Sequence, residues 1–270
     1  MKSDYKVEVN FAALGTKLAR ALDPVIERTA FGLCTAESGA TQVRLPGFFR
    51  VDLPESRKRD VTLIREDFRT WILTAGFRDA IECMHTFLDE ARMVCAVVEL
   101  GAHSAVFTVA DWNRCVVGRS KCFHKMGLPD KLTYLKEKHQ VGVCPELEEN
   151  ILSLNRARNC LVHRVGVVSA QYDTNDSGQL QVSWRRRHLL ARGPEGEREL
   201  AESEAIVQAG ESILLRSCAA KRAFEVGAKV LFNAREFSEL CMTLFAFEQE
   251  LATAIEGRAK NLAFNGASAS

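Results

Sequence analysis

The sequence predicts a mainly α-helical protein, an up-and-down helical bundle with a small antiparallel β insertion before its last helix. Three observations lead there. Apolar residues recur at helical spacing through most of the chain up to His163 and again over 234–257. Between those stretches the spacing becomes strand-like, around a turn-forming run of Asp, Asn, Ser and Gly. Finally, 47% of the 270 residues are apolar, enough for a real core in one domain or two closely joined ones.

The elements follow in order. Leu18, Ala21, Leu22, Val25 and Ile26 make one side of a helix over 16–33, and the Gly-, Pro- and Ser-containing stretch 35–58 reads as a loop. Asp60 caps a long helical region reaching about Leu100, with Gly76-Phe77 as a candidate bend or split. Asp111 caps a further helix ending near Met126-Gly127. Pro129 then suits the first turn of a helix ending by Gln140. A helix after Cys144-Pro145 has Glu146, Glu148 and Glu149 in its first turn, where the helix dipole favours negative charge. It ends around His163.

Val165–Tyr172 and Leu180–Leu190 read as strands joined by a hairpin loop at 173–178, with further short strands at Ser212–Arg216 and Phe224–Phe232. The acidic stretch 193–204 is expected to be mobile. Asn233 with Glu236 caps a closing helix over 234–257, and the tail from Asn265 is expected to be disordered. The expected division is a bundle over 1–164, a β appendage over 165–232, and a C-terminal helix over 233–263 that returns to the bundle.

A net charge of +1 offers no global attraction to nucleic acid or membrane, so any such surface must be local. The start of the chain lacks the apolar core of a secretory signal, and no run of about 20 uncharged apolar residues exists. Nine cysteines stand singly, without a Cys-x-x-Cys, and read as reduced packing groups of a cytoplasmic protein. Cys115, Cys122 and His124 are too few and wrongly spaced for a structural zinc site, so no metal or cofactor is expected. No phosphate-binding Gly-rich loop, Gly-x-Ser-x-Gly elbow or His-Glu-x-x-His occurs.

The candidate chemistry lies in Leu154-Asn155-Arg156-Ala157-Arg158-Asn159-Cys160-Leu161-Val162-His163. At about 100° per residue, Arg158 falls on the apolar stripe one turn from Leu154 and Leu161, while Asn155, Asn159 and His163 line up beside it. An arginine there must be paired or must open to a cleft. Glu82, Asp89 and Glu90 are its candidate partners. Arg158 and His163 lie about 140° apart on an ideal helix, so they converge only if the helix ends or bends, or if a second subunit supplies the other half.

Arg158-Asn159-x-x-x-His163 resembles the Arg-polar-x-x-x-His signature of the HEPN superfamily (higher eukaryotes and prokaryotes nucleotide-binding). Phe123, Leu128-Pro129-Asp130-Lys131-Leu132 and Glu146 upstream fit the same resemblance, which covers about residues 120–168. It implies a bundle of four or five helices, a homodimer with two motifs facing one cleft, and a metal-independent endoribonuclease. His163 would then be the general acid or base, Arg158 would stabilise phosphate charge, and Asn159 would orient it. The products would be a 2′,3′-cyclic phosphate and a 5′-hydroxyl. The resemblance equally admits a catalytically silent module that binds RNA, a nucleotide or a protein such as an antitoxin.

Arg164, Trp184, Arg185 and Arg187 are the candidate RNA contacts, since cations interleaved with an aromatic suit backbone and bases. A charged edge strand is the commoner explanation of Trp184-Arg185-Arg186-Arg187-His188. His85 and His103 are assigned core or surface roles, and Cys160 a packing role.

Overall fold

The computed structural model describes residues 8–38, 60–103, 107–175, 177–194, 196–200 and 210–267. It is mainly helical, with one small antiparallel sheet. The helices are α1 (Phe11–Leu14), α2 (Lys17–Ser38), α3 (Val61–His103), α4 (Val109–Trp112), α5 (Ser120–His124), α6 (Leu128–His139), α7 (Pro145–His163) and α8 (Ala234–Ala267). The strands are β1 (Gln179–Gly193), β2 (Gly196–Glu199) and β3 (Ser212–Glu225), in spatial order β2-β1-β3. Among the described residues, no helix is long and apolar enough to cross a membrane.

The long helix is one piece. Asp60 accepts the N–H of Thr62 at 3.0 Å, and α3 then runs unbroken for 43 residues. Gly76 does not split it. A Cβ there would strike Thr29 Oγ1 of α2 and the ring of Phe237, so this glycine lets α2, α3 and α8 approach closely. Gly32 does the same from α2, where an added Cβ would sit 2.6 Å from Ile72. α2 also runs on to Ser38, through the start of the expected loop; the rest of that loop lies outside the described residues. Its first turn holds no acid. Buried Glu248 of α8 supplies one, accepting the N–H groups of Leu18 at 2.5 Å and Ala19 at 3.0 Å.

Other expectations need correction. The N-cap before α4 is Thr108, with Asp111 closing a capping box on it, and the helix soon gives way to a π-helical turn over Asn113–Val117. Buried Arg92 holds that turn through the carbonyls of Cys115 and Val116. Val165–Tyr172 is not a strand. It folds into turns and makes a single bridge, Val167 to Lys229. β1 pairs instead with β3, in one ladder from Gln179↔Glu225 to Arg192↔Ser212. β2 forms within the stretch expected to be mobile, whose remainder from 201 lies outside the described residues. α8 begins on the Asn233–Glu236 box, with both hydrogen bonds present, and continues to Ala267. The remaining tail, 268–270, is outside the described residues.

The sheet is built into the body along half its length. Leu180, Val182, Trp184 and Phe224 join the same hydrophobic core as α2, α3, α7 and α8. The edge of β1 not covered by β2 is taken up by hydroxyls. Ser153 of α7 accepts the N–H of Ser183 at 2.9 Å, and Thr243 of α8 accepts that of Arg185 at 3.0 Å. This arrangement sets α7 between the sheet and α3, with Arg158 reaching Glu82 of α3.

Candidate functional site

α7 starts with Pro145, and Leu147, Ile151, Leu154 and Ala157 form its buried face. Arg158 sits on the seam with α3. Its Nη2 donates to Glu82 Oε1, and its Nη1 to Asn159 Oδ1 at 3.2 Å. Its Nε is buried and without a hydrogen-bond partner. The Arg158 side chain is 21% exposed, and that of Glu82 is 53% exposed. Of the three carboxylates expected to compete for Arg158, the other two are engaged elsewhere. Asp89 accepts from Lys131 Nζ at 2.5 Å and meets His124 Nδ1 at 2.6 Å; Glu90 pairs with Lys17 at 3.0 Å.

His85 lies half-buried on α3 between Glu82 and Asp89, beside Asn155 of α7. Burial pushes its imidazole below the ordinary histidine range. Lys131 and Arg158 push the same way, while Glu82 and Asn155 oppose them. Lys131 is itself buried on α6. It donates to the His85 carbonyl at 3.3 Å and lies 5.3 Å from the Phe123 ring centroid. The seam thus carries Glu82, His85 and Asp89 from α3, Lys131 from α6, and Asn155, Arg158 and Asn159 from α7. The sequence alone assigns His85 a core or surface role, not a place in the site. The signal available was its spacing, one turn from Glu82 and one from Asp89 on a face meeting α7.

His163 is exposed in the last turn of α7 and has no hydrogen bond among the described residues. α7 stays helical through it, so within one chain it leaves the helix about 140° from Arg158. The helix stops just beyond, where Val165 takes φ 54° and Gly166 φ 77°.

Arg164 is not free to hold RNA. Its Nε donates to Asp173 Oδ2 at 2.7 Å and its Nη2 to Asp173 Oδ1, and this buried carboxylate also accepts the N–H of Ser169 at 2.8 Å. The pair closes the turns after α7. Cys160 beside it is buried, and burial and Asp173 push its thiol up to about 11, as suits a packing group.

Trp184 also departs from its expected role. It is 1% exposed, its Nε1 donates to Glu239 Oε2 at 2.6 Å, and its ring meets Phe232 edge-on. It presents no face to a base. Arg186 is drawn to Glu239 as well, at 2.9 Å. Arg185 turns towards Cys144, its Nη2 lying 3.3 Å from the sulfur, while Arg187 is exposed. The strand cluster therefore divides. Trp184 and Arg186 join the sheet to α8, Arg185 is half-buried, and only Arg187 stands open to solvent as an RNA contact would. Comparison of the chain with protein-family models, curated proteins and solved structures returned no match.

Proposed function

We propose that this chain is a HEPN-like RNA-binding protein of the cytoplasm that takes an RNA phosphate on Arg158. As a homodimer, it would cleave the strand without metal to a 2′,3′-cyclic phosphate and a 5′-hydroxyl. The carrying observation is the manner in which Arg158 is held. Arg164 is clamped by a carboxylate 1% exposed, and buried Arg92 by two carbonyls and Ser120. Arg158 instead has one charged partner, on a side chain more than half exposed. An exposed ion pair is worth only about 0–1 kcal/mol, so Glu82 can swing away and leave its place to a phosphate oxygen. Asn159 then holds the guanidinium in position. Arg187 lies outside the seam and serves at most the passing backbone.

Pairing of two copies would answer the angular mismatch, since His163 of one copy can meet Arg158 of the other where a single helix keeps them apart. The second reading, an RNA-, nucleotide- or protein-binding module without catalysis, is favoured by that mismatch. Incubation of a mixed RNA pool in EDTA separates the two. The proposal expects cyclic phosphate ends from the wild type and none from Arg158→Ala or His163→Ala. RNA bound but left intact by the wild type establishes the binding module instead.

A further inference from the structure

We infer that His85, on α3, faces the RNA strand beside Arg158 and takes the proton of the attacking 2′-hydroxyl. The inference rests on the ribonuclease reading and deepens it by naming a base that the sequence motif does not contain.

Placement comes first. Glu82, the residue holding Arg158, is one turn before His85 on the same helix, and Asn155, its neighbour across the seam, is one turn before Arg158 on α7. A phosphate that replaces Glu82 on the guanidinium therefore arrives next to the imidazole. Orientation comes second. The ring is half-buried beside Asn155, so part of it stays open to a substrate. Protonation state is third. The groups around the ring are Glu82 and Asp89 from α3, Lys131 from α6, and Arg158 from α7, with His124 reaching Asp89. Burial and the two cations keep the ring neutral, as a general base requires.

The step balances. The 2′-oxygen gives its proton to His85 as it bonds to phosphorus. The bond from phosphorus to the 5′-oxygen breaks, and that oxygen takes a proton from the imidazolium of His163. His85 then bears the added proton and His163 has lost one, so the two histidines exchange protonation states and no oxidant, reductant or metal takes part. Arg158 bears the extra charge on the non-bridging oxygens. A division of labour follows in which His163 need not do both proton transfers.

The test has two arms on the full-length protein. The first follows the imidazole C2–H signal of His85 by NMR, assigned through His85→Gln, while a non-cleavable 2′-O-methyl dinucleotide is added. The second measures the pH profile of RNA cleavage in EDTA for wild type, His85→Gln and His163→Ala, with thermal melting to certify the fold. Expected are a His85 signal that moves with the dinucleotide in the wild type and not in Arg158→Ala, and a loss of about 10²–10⁴-fold in cleavage rate for His85→Gln. The residual activity should lack the acidic limb of the profile. His163→Ala should abolish cleavage, because the leaving 5′-oxygen then lacks its acid. Wild-type cleavage matched by a folded His85→Gln, acidic limb included, overturns the role of His85 and leaves the ribonuclease reading intact. A wild type that cleaves nothing overturns both, and the NMR arm then tells whether the seam binds the strand at all.

Discussion

Removal of Arg164 should unfold the end of α7 rather than weaken a nucleic-acid surface. Asp173 is buried, and its carboxylate is met by the Nε and Nη2 of Arg164 and the N–H of Ser169. Arg164→Ala leaves that charge with one donor. Loss of one member of a buried pair costs about 3–5 kcal/mol. The remaining Ser169 N–H and the part-exposure of the Arg164 side chain place the cost near the lower end, at about 3 kcal/mol. With a urea slope of about 2–3 kcal/mol per molar, the midpoint should fall by roughly 1 M. Asp173→Asn added to Arg164→Met removes the stranded charge while keeping an acceptor for Ser169, so the double variant should recover about 2 kcal/mol of the single loss. Urea melts of the wild type, Arg164→Met, Asp173→Asn and the double variant form the cycle, with Arg164→Ala measured beside them. A cost below about 1 kcal/mol for Arg164→Ala, together with a tenfold loss of RNA affinity, would refute this reasoning and return Arg164 to the RNA surface.

Three further outcomes are expected. Glu248→Ala should cost about 2 kcal/mol in urea melts, because the buried N–H of Leu18 and the part-buried N–H of Ala19 lose their acceptor. Val165→Gly should stabilise by about 0.5–1 kcal/mol, since Val165 is 86% exposed and holds a left-handed φ that costs a β-branched residue about 1–2 kcal/mol; a lower melting temperature would count against it. The depressed imidazole of His85 makes the unfolded chain bind more protons, so stability should fall as pH drops below about 6.5, and this slope should be shallower in His85→Gln; parallel stability–pH curves would deny it.

Which parts of this molecule can be read from the chain follows from how local their causes are. The ends of α6 depend on Pro129 and Gln140, and the start of α8 on the Asn233–Glu236 box, all within a few residues of the helices they bound. The misfit of Arg158 on an apolar stripe was legible too, and Glu82 was among its three expected partners. Val165–Tyr172 has strand-like periodicity but folds into turns, because an ion pair between Arg164 and Asp173, which that periodicity does not contain, closes them. In β1, alternation places Trp184 and Arg186 on one face. That this face is buried depends on Glu239 in α8, distant in sequence. His85 sits in an ordinary helical pattern. Its surroundings come from Lys131 on α6 and from Asn155 and Arg158 on α7, which only packing brings together.

The central claim is that Arg158 serves a phosphate and that Glu82 merely keeps its place. Fluorescence anisotropy with a labelled 2′-O-methyl RNA oligonucleotide tests it through the sign of one substitution. Glu82→Gln should bind the RNA a few-fold more tightly than the wild type, up to about fivefold for an exposed pair worth at most about 1 kcal/mol, while Arg158→Ala should lose binding. Weaker binding by Glu82→Gln in step with a lower melting temperature, or RNA affinity untouched in Arg158→Ala, would contradict the account and make the pair a structural tie between α3 and α7.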